Sequence, residues 1–148
     1  MKTMINFFAL AILLLVGQNG FTQDSNFQIY LSLGQSNMEG AAKIEPQDTV
    51  EVDGRFRVLE AVNCPNLGRE KGKWYTAVPP LCRCKTGLTL TDYFGRTMVE
   101  NLPKEKKVGI INVAVGGCKI ELFDKDKYEA FIATAPDWMK GMIKEYEG

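Results

Sequence analysis

Val108-Gly109-Ile110-Ile111-Asn112-Val113-Ala114-Val115 is nearly unbroken apolar sequence that stops at Gly116-Gly117, and no other stretch constrains the fold as much. A strand with this pattern is covered on both faces, as in a parallel sheet flanked by helices. A second apolar run, Phe27 to Leu33, ends in the same way at Gly34. Between them, Thr89-Leu90-Thr91-Asp92 has the pattern of a helix N-terminal cap. Phe94, Met98 and Leu102 then recur at i, i+4 and i+8 before Pro103 halts the run, which predicts a helix laid on the sheet by that face.

The remaining segments are placed around this frame. Arg55 to Val62 alternates loosely after the turn signal Asp53-Gly54 and reads as a second strand or a hairpin partner. Asn63 to Gly87 is rich in Pro, Gly, Cys and Lys and reads as a long ordered loop. Gly40-Ala41-Ala42 is expected to begin a short helix. Asp137 is expected to cap a last one, with Trp138, Met142 and Tyr146 on one face, Met139 and Ile143 beside them, and Trp138 in the core. This order predicts an α/β protein with a mostly parallel sheet. Two or three strands cannot cover both faces of such a sheet, so the domain is expected to be incomplete in this chain.

The first residues carry Lys2, then an apolar core from Ile5 to Val16, then a small and polar stretch from Gly17 to Thr22. This predicts a secretory signal peptide over 1–22, cleaved near Thr22 or Gln23, and a secreted or periplasmic protein with no integral span after cleavage. The core falls short of the roughly 20 apolar residues that a membrane helix needs. Lys plus Arg and Asp plus Glu balance at 18 each and are scattered, which argues against nucleic acid as a partner and suits an uncharged ligand. Cys64, Cys82, Cys84 and Cys118 are expected to form disulfides after export. A Cys82–Cys84 bond would be strained, which favours bonds to Cys64 or Cys118. One Cys-x-Cys pair without histidine is a poor metal site, and none is expected.

Gly34-Gln35-Ser36-Asn37-Met38 follows the first strand and sets a serine on a tight strand-to-helix turn. A hydroxyl there projects above the carboxyl edge of a sheet, and the N–H groups that open the next helix face an oxyanion beside it. If the two apolar strands are neighbours, the N–H of Gly116 or Gly117 points into the same space, pairing a nucleophile with an oxyanion donor. A serine nucleophile also needs a base, and the chain has no histidine. Lys43 and Lys119 lie near the motifs, but a serine–lysine dyad requires a desolvated lysine, and both flank loops. Asp92 reads as a helix cap in preference to a residue that orients a base, and Glu39 reads equally as a candidate base or a surface residue. Tyr75 reads equally as a candidate platform for a sugar ring and as packing of the loop on the core, whereas Trp74 reads as loop packing.

The Gly34-Gln35-Ser36-Asn37-Met38 and Val113-Ala114-Val115-Gly116-Gly117-Cys118-Lys119-Ile120 segments together resemble the first two blocks of the SGNH hydrolases. The likeness is closest to the carbohydrate acetylesterase and sialate O-acetylesterase branch, and Trp74 to Leu81 and Gly87 to Arg96 also look like that branch. The resemblance implies a flavodoxin-like three-layer sandwich with a parallel sheet, and a serine esterase that removes acetyl groups from sialate- or xylan-type carbohydrates without a cofactor. It implies Ser36 as nucleophile, the N–H groups of Ser36 and Gly117, with Gly116 beside them, as oxyanion donors, and Gln35 and Asn37 as candidate substrate contacts along with Tyr75. The branch's later Gln-Gly-Glu block and Asp-x-x-His base are not in this sequence. Residues 23–148 are therefore expected to be the N-terminal portion of an SGNH-type esterase domain, inactive alone. The alternative is a non-catalytic glycan-binding protein, or an inactive remnant, on the same scaffold.

Overall fold

The two apolar runs lie side by side. Phe27–Gly34 (β1) and Lys107–Ala114 (β4) pair in parallel along their whole length, with Phe27 opposite Lys107 and Gly34 opposite Ala114. Phe56–Leu59 (β2) pairs in parallel with the other edge of β4, and Trp74–Thr76 (β3) adds antiparallel to β2, giving the order β1-β4-β2-β3. This is an α/β fold with a mostly parallel sheet. The computed structural model describes residues 24–147, so the expected signal peptide lies outside the described residues. Among the described residues no helix is long and apolar enough to cross a membrane.

Among the described residues five α-helices accompany the sheet: Ser36–Glu39 (α1), Pro46–Thr49 (α2), Leu90–Asn101 (α3), Tyr128–Thr134 (α4) and Asp137–Glu147 (α5). Helix α3 begins where the cap pattern places it. Thr89 Oγ1 accepts from Thr91 N at 3.2 Å, and Asp92 Oδ2 accepts from Thr89 N at 2.7 Å. Its buried face overlaps the expected one but is shifted: Thr91, Asp92, Gly95 and Val99 are buried, Met98 and Leu102 pack partly buried against the core as expected, and Phe94 is exposed and rests edge-on against Tyr30. Gly95 sets this choice. A Cβ there would sit 1.9 Å from the Phe56 ring, so the bare backbone lets the helix approach the fully buried Phe56 of β2. Phe56, Val58, Ala77, Leu81, Val99, Val108 and Ile110 form this core, each large side chain contributing roughly 1.5–3 kcal/mol by leaving water.

A second cluster of Val115, Cys118, Leu122, Ala135, Met139 and Ile143 packs α5 at the carboxyl end of β4. Trp138 is not part of it, being 58% exposed, because Met139 and Ile143 define the inward stripe and Trp138 lies one residue, about 100°, away from it. The long loop is partly ordered as β3 and a 3-10 turn at Pro65–Leu67. It is tied by a disulfide between Cys64 and Cys84, while Cys82 and Cys118 are buried free thiols, so Cys118 is not the disulfide partner it was expected to be.

Among the described residues strand β1 has one neighbour, and its other edge is unpaired. Tyr30 and Ser32 turn toward the core, whereas Ile29, Leu31 and Leu33 on the alternate face are 52%, 62% and 42% exposed.

Candidate active site

The parallel pairing of β1 and β4 carries both glycine-rich turns to one end of the sheet. Past the last register pair, Val115 N donates to Gly34 O at 3.1 Å, and Cys118 Sγ donates to the same carbonyl at 3.5 Å. The serine turn and the Gly116-Gly117 turn are thereby stitched together. Ser36 opens α1 and is exposed, as are its neighbours Gln35 and Asn37. Gln35 is the residue before the helix, and its carbonyl accepts from Met38 N and Glu39 N at 2.9 and 2.8 Å. The N–H of Ser36 heads the first turn, where a helix has no internal acceptor to offer.

Helix α1 is a single turn and is shorter than the sequence suggested. Gly40 ends it instead of beginning a helix with Ala41 and Ala42, because its φ of +108° is left-handed. Gly40 N donates to Ser36 O at 3.1 Å, and its own carbonyl accepts from Gly87 N at 2.7 Å; Leu88 N then donates to Ala42 O at 2.7 Å. A helix this short cannot hold itself, so it borrows stability from these tertiary bonds.

Two side-chain contacts add to them. Asn112 Nδ2, fully buried on β4, donates to Met38 O at 3.1 Å. Glu39 pairs with the guanidinium of Arg83, which also reaches Glu145 on α5 at 3.4 Å. The Glu39 carboxylate lies where a side chain on Gly116 would be, 2.6 Å from an ideal Cβ. Glu39 is thus a half-buried link between the two turns.

Gly117 is exposed at φ +73°, a conformation that favours glycine, beside the Trp138 ring. Two clefts adjoin the serine turn, one along Asn37 and one along Gly34 and Gln35. The larger, about 530 Å³, runs from Asn37 past Ala41 and Ala42 to Leu90 and Tyr93; the smaller, about 270 Å³, lies between Gln35, Cys118 and Phe123. Burial pushes the Cys118 thiol above its ordinary value, which makes it a poor nucleophile at neutral pH. Lys43 and Lys119 are both exposed and lack the desolvation a dyad lysine needs.

A family model described as carbohydrate esterase, sialic acid-specific acetylesterase, matches residues 26–147. The chain belongs to this carbohydrate esterase family. Among solved structures, the chain is similar to a protein from Arabidopsis thaliana determined by X-ray crystallography, with 19% identity and a TM-score of 0.52. The match covers 83% of this chain and 53% of the other, so the chain spans about half the length of that relative, and the likeness is one of fold. An acetylated carbohydrate fits the esterase family as substrate class.

Within the esterase frame, the structure brings together Gln35, Ser36, Asn37, Gly116 and Gly117, and it leaves Tyr75 apart. Tyr75 sits on β3, separated from β1 by β4 and β2, half-buried against the core with its hydroxyl accepting from Glu70 N at 2.9 Å. Trp74 packs edge-on against Phe27 with ring centres 4.8 Å apart, as expected of a packing residue. Sequence reasoning missed Asn112, Arg83 and Tyr93. For Asn112 the signal was present: a lone amide in an apolar strand must find a partner when buried.

Proposed function

We propose that this chain is the serine-bearing part of an exported carbohydrate acetylesterase of the SGNH type. The observation that carries this reading is the exposed Ser36 on a one-turn helix, stitched through Gly34 to the Gly116-Gly117 turn at the carboxyl end of two adjacent parallel strands. Ser36 Oγ attacks the acetyl carbonyl carbon while its proton passes to a base. The developing oxyanion is met by the N–H groups of Ser36 and Gly117, with the Gly116 peptide beside them; one such donor contributes on the order of 3 kcal/mol to the transition state. Collapse breaks the ester C–O bond, the departing sugar oxygen takes the proton from the base and leaves as a hydroxyl, and an acetyl-serine remains. Water then attacks this ester with the same base assisting, and acetate departs.

No residue of the chain is suited to the base, so the reading assigns it to polypeptide outside these 148 residues. On this reading residues 23–148 form the N-terminal portion of the esterase domain. The Cys64–Cys84 disulfide and the apolar core from Ile5 to Val16 support export to an oxidising compartment.

The test is turnover of p-nitrophenyl acetate by the product of the complete reading frame and by its Ser36→Ala variant. Loss of at least about a thousandfold in kcat/KM with the fold intact is the expected result. Equal turnover by the two proteins, or a complete frame with no turnover, would overturn it and leave a glycan-binding remnant.

A further inference from the structure

We propose that Arg83 is a positioning residue for the Gly116-Gly117 turn, seating the Glu39 carboxylate against Gly116 and cancelling its charge beside the place where the oxyanion forms; this rests on the esterase reading above and deepens it. Glu39 closes α1, three residues after Ser36, and one of its oxygens occupies the space that a side chain on Gly116 would need. An anion in that position works against a second anion developing at the N–H groups of Ser36 and Gly117. Its field reaches that far. Burial is the main reason why Cys118, the residue after Gly117, holds its thiol proton above the ordinary value, and the Glu39 charge adds to the rise.

Arg83 meets this charge directly. Its Nη2 donates to Glu39 Oε1, and the two side chains are 13% and 16% exposed, so little water screens the pair. Burial opposes the guanidinium charge, but the hydrogen bond to Glu39 and the carboxylate charge outweigh it and hold Arg83 above its ordinary value. The same Nη2 lies 3.0 Å from Met142 Sδ, and Nη1 lies 3.4 Å from Glu145 Oε1. Its sequence neighbours are tied as well: Cys82 Sγ sits 3.1 Å from the Tyr146 hydroxyl, and Cys84 is bonded to Cys64. Arg83 is thus fixed to α5 and to the crosslinked loop, and it carries that rigidity to the end of α1. Such bracing matters because a misplacement of about 1 Å at a reacting group costs on the order of a hundredfold in rate.

The test separates neutralisation from bracing alone. It compares, from the complete reading frame, the parent, Arg83→Gln, and Arg83→Gln combined with Glu39→Gln, in which two amides keep a hydrogen-bonded link without charge. Arg83→Gln should lower kcat for p-nitrophenyl acetate about thirtyfold with KM within about twofold, and adding Glu39→Gln should recover kcat to within about fivefold of the parent. Base-catalysed hydrogen exchange at the Gly117 amide passes through a peptide anion and reads the same field with no ester present. Arg83→Gln should slow it about tenfold and the added Glu39→Gln should restore it, whereas a merely loosened turn would exchange faster. Glu39→Gln alone, which leaves the cation unopposed, should speed this exchange, and it keeps the proposal refutable where Arg83→Gln does not fold. Unchanged or faster exchange in Arg83→Gln, slower exchange in Glu39→Gln, or a double variant no better than Arg83→Gln would overturn the proposal. A parent without turnover would defeat the serine reading, and the exchange rates would still decide this one.

Discussion

Replacing Cys64 and Cys84 together, as Cys64→Ala with Cys84→Ser, tests how much of the architecture beneath the serine depends on one crosslink. The two residues are 20 apart in sequence. Closing a loop of that length removes about 11 cal/mol/K from the unfolded chain, or about 3 kcal/mol at 25 °C. Alanine is chosen at position 64 because that site is fully buried and a serine hydroxyl there would add its own desolvation cost. Equilibrium unfolding in urea should therefore show a loss of about 3 kcal/mol, with a steeper dependence on denaturant because the uncrosslinked chain exposes more surface. In a thermal melt the same loss corresponds to roughly 10–15 °C for a domain of this size. The disulfide also adjoins Arg83, whose guanidinium holds Glu39 at the end of α1, so amide exchange at Met38 to Gly40 should accelerate. A loss below about 1 kcal/mol would refute the chain-entropy reasoning. Pairing is checked independently: unfolded without reductant, Cys82 and Cys118 alone should take up iodoacetamide.

Two further predictions concern α3. Gly95→Ala should destabilise by about 1–3 kcal/mol despite the better helix propensity of alanine, because its Cβ meets the Phe56 ring; a melting temperature at or above that of the parent would refute this packing. Asp92→Asn should flatten the pH dependence of stability. Burial raises the Asp92 carboxyl above the ordinary aspartate value of 3.8, so the folded state binds the proton more tightly and stability falls as pH rises through the raised value. Asp48 acts in the opposite sense and in a separate window: its hydrogen bond from Tyr93 lowers it, so its contribution is lost only as pH falls below 3.8. Urea midpoints measured from about pH 4 to 7 should slope less in Asp92→Asn than in the parent, and identical slopes would refute the assignment.

The parts of the fold legible in the sequence are those specified locally. β1 and β4 announce themselves as apolar runs ended by glycine, and α3 by its cap and by Pro103. The parts that were not legible are set by distant partners. β3 is three residues in a polar loop and exists because β2 pairs with it. The α3 face was read from Phe94, Met98 and Leu102; Met98 and Leu102 do pack against the core, but Phe94 is turned out and the centre of the buried face falls on Gly95, where Phe56 needs the room. Trp138 shows the same limit: size argued for burial, and the phase set by Met139 and Ile143 turned it out. At the site, the serine and glycine turns were legible as motifs. Asp48, Tyr93 and Arg96 are assembled by contacts some 45 residues apart, which no spacing reveals. Tyr75, open from its residue type between a sugar platform and loop packing, packs against the core from β3, the edge strand furthest from β1.

Strand β1 is made early, and the strand it needs is made late. Phe27 pairs with Lys107, about 80 residues further along, which at roughly 5–20 residues per second is an interval of about 4–16 s. For that time Ile29, Leu31 and Leu33 emerge on a strand with neither edge paired, a template for any other chain at hand. Even after β4 arrives, the other edge of β1 has no partner among the described residues. The yield of this protein in a host should thus track translation speed, temperature and the supply of holding chaperones more closely than it tracks the stability of the finished fold.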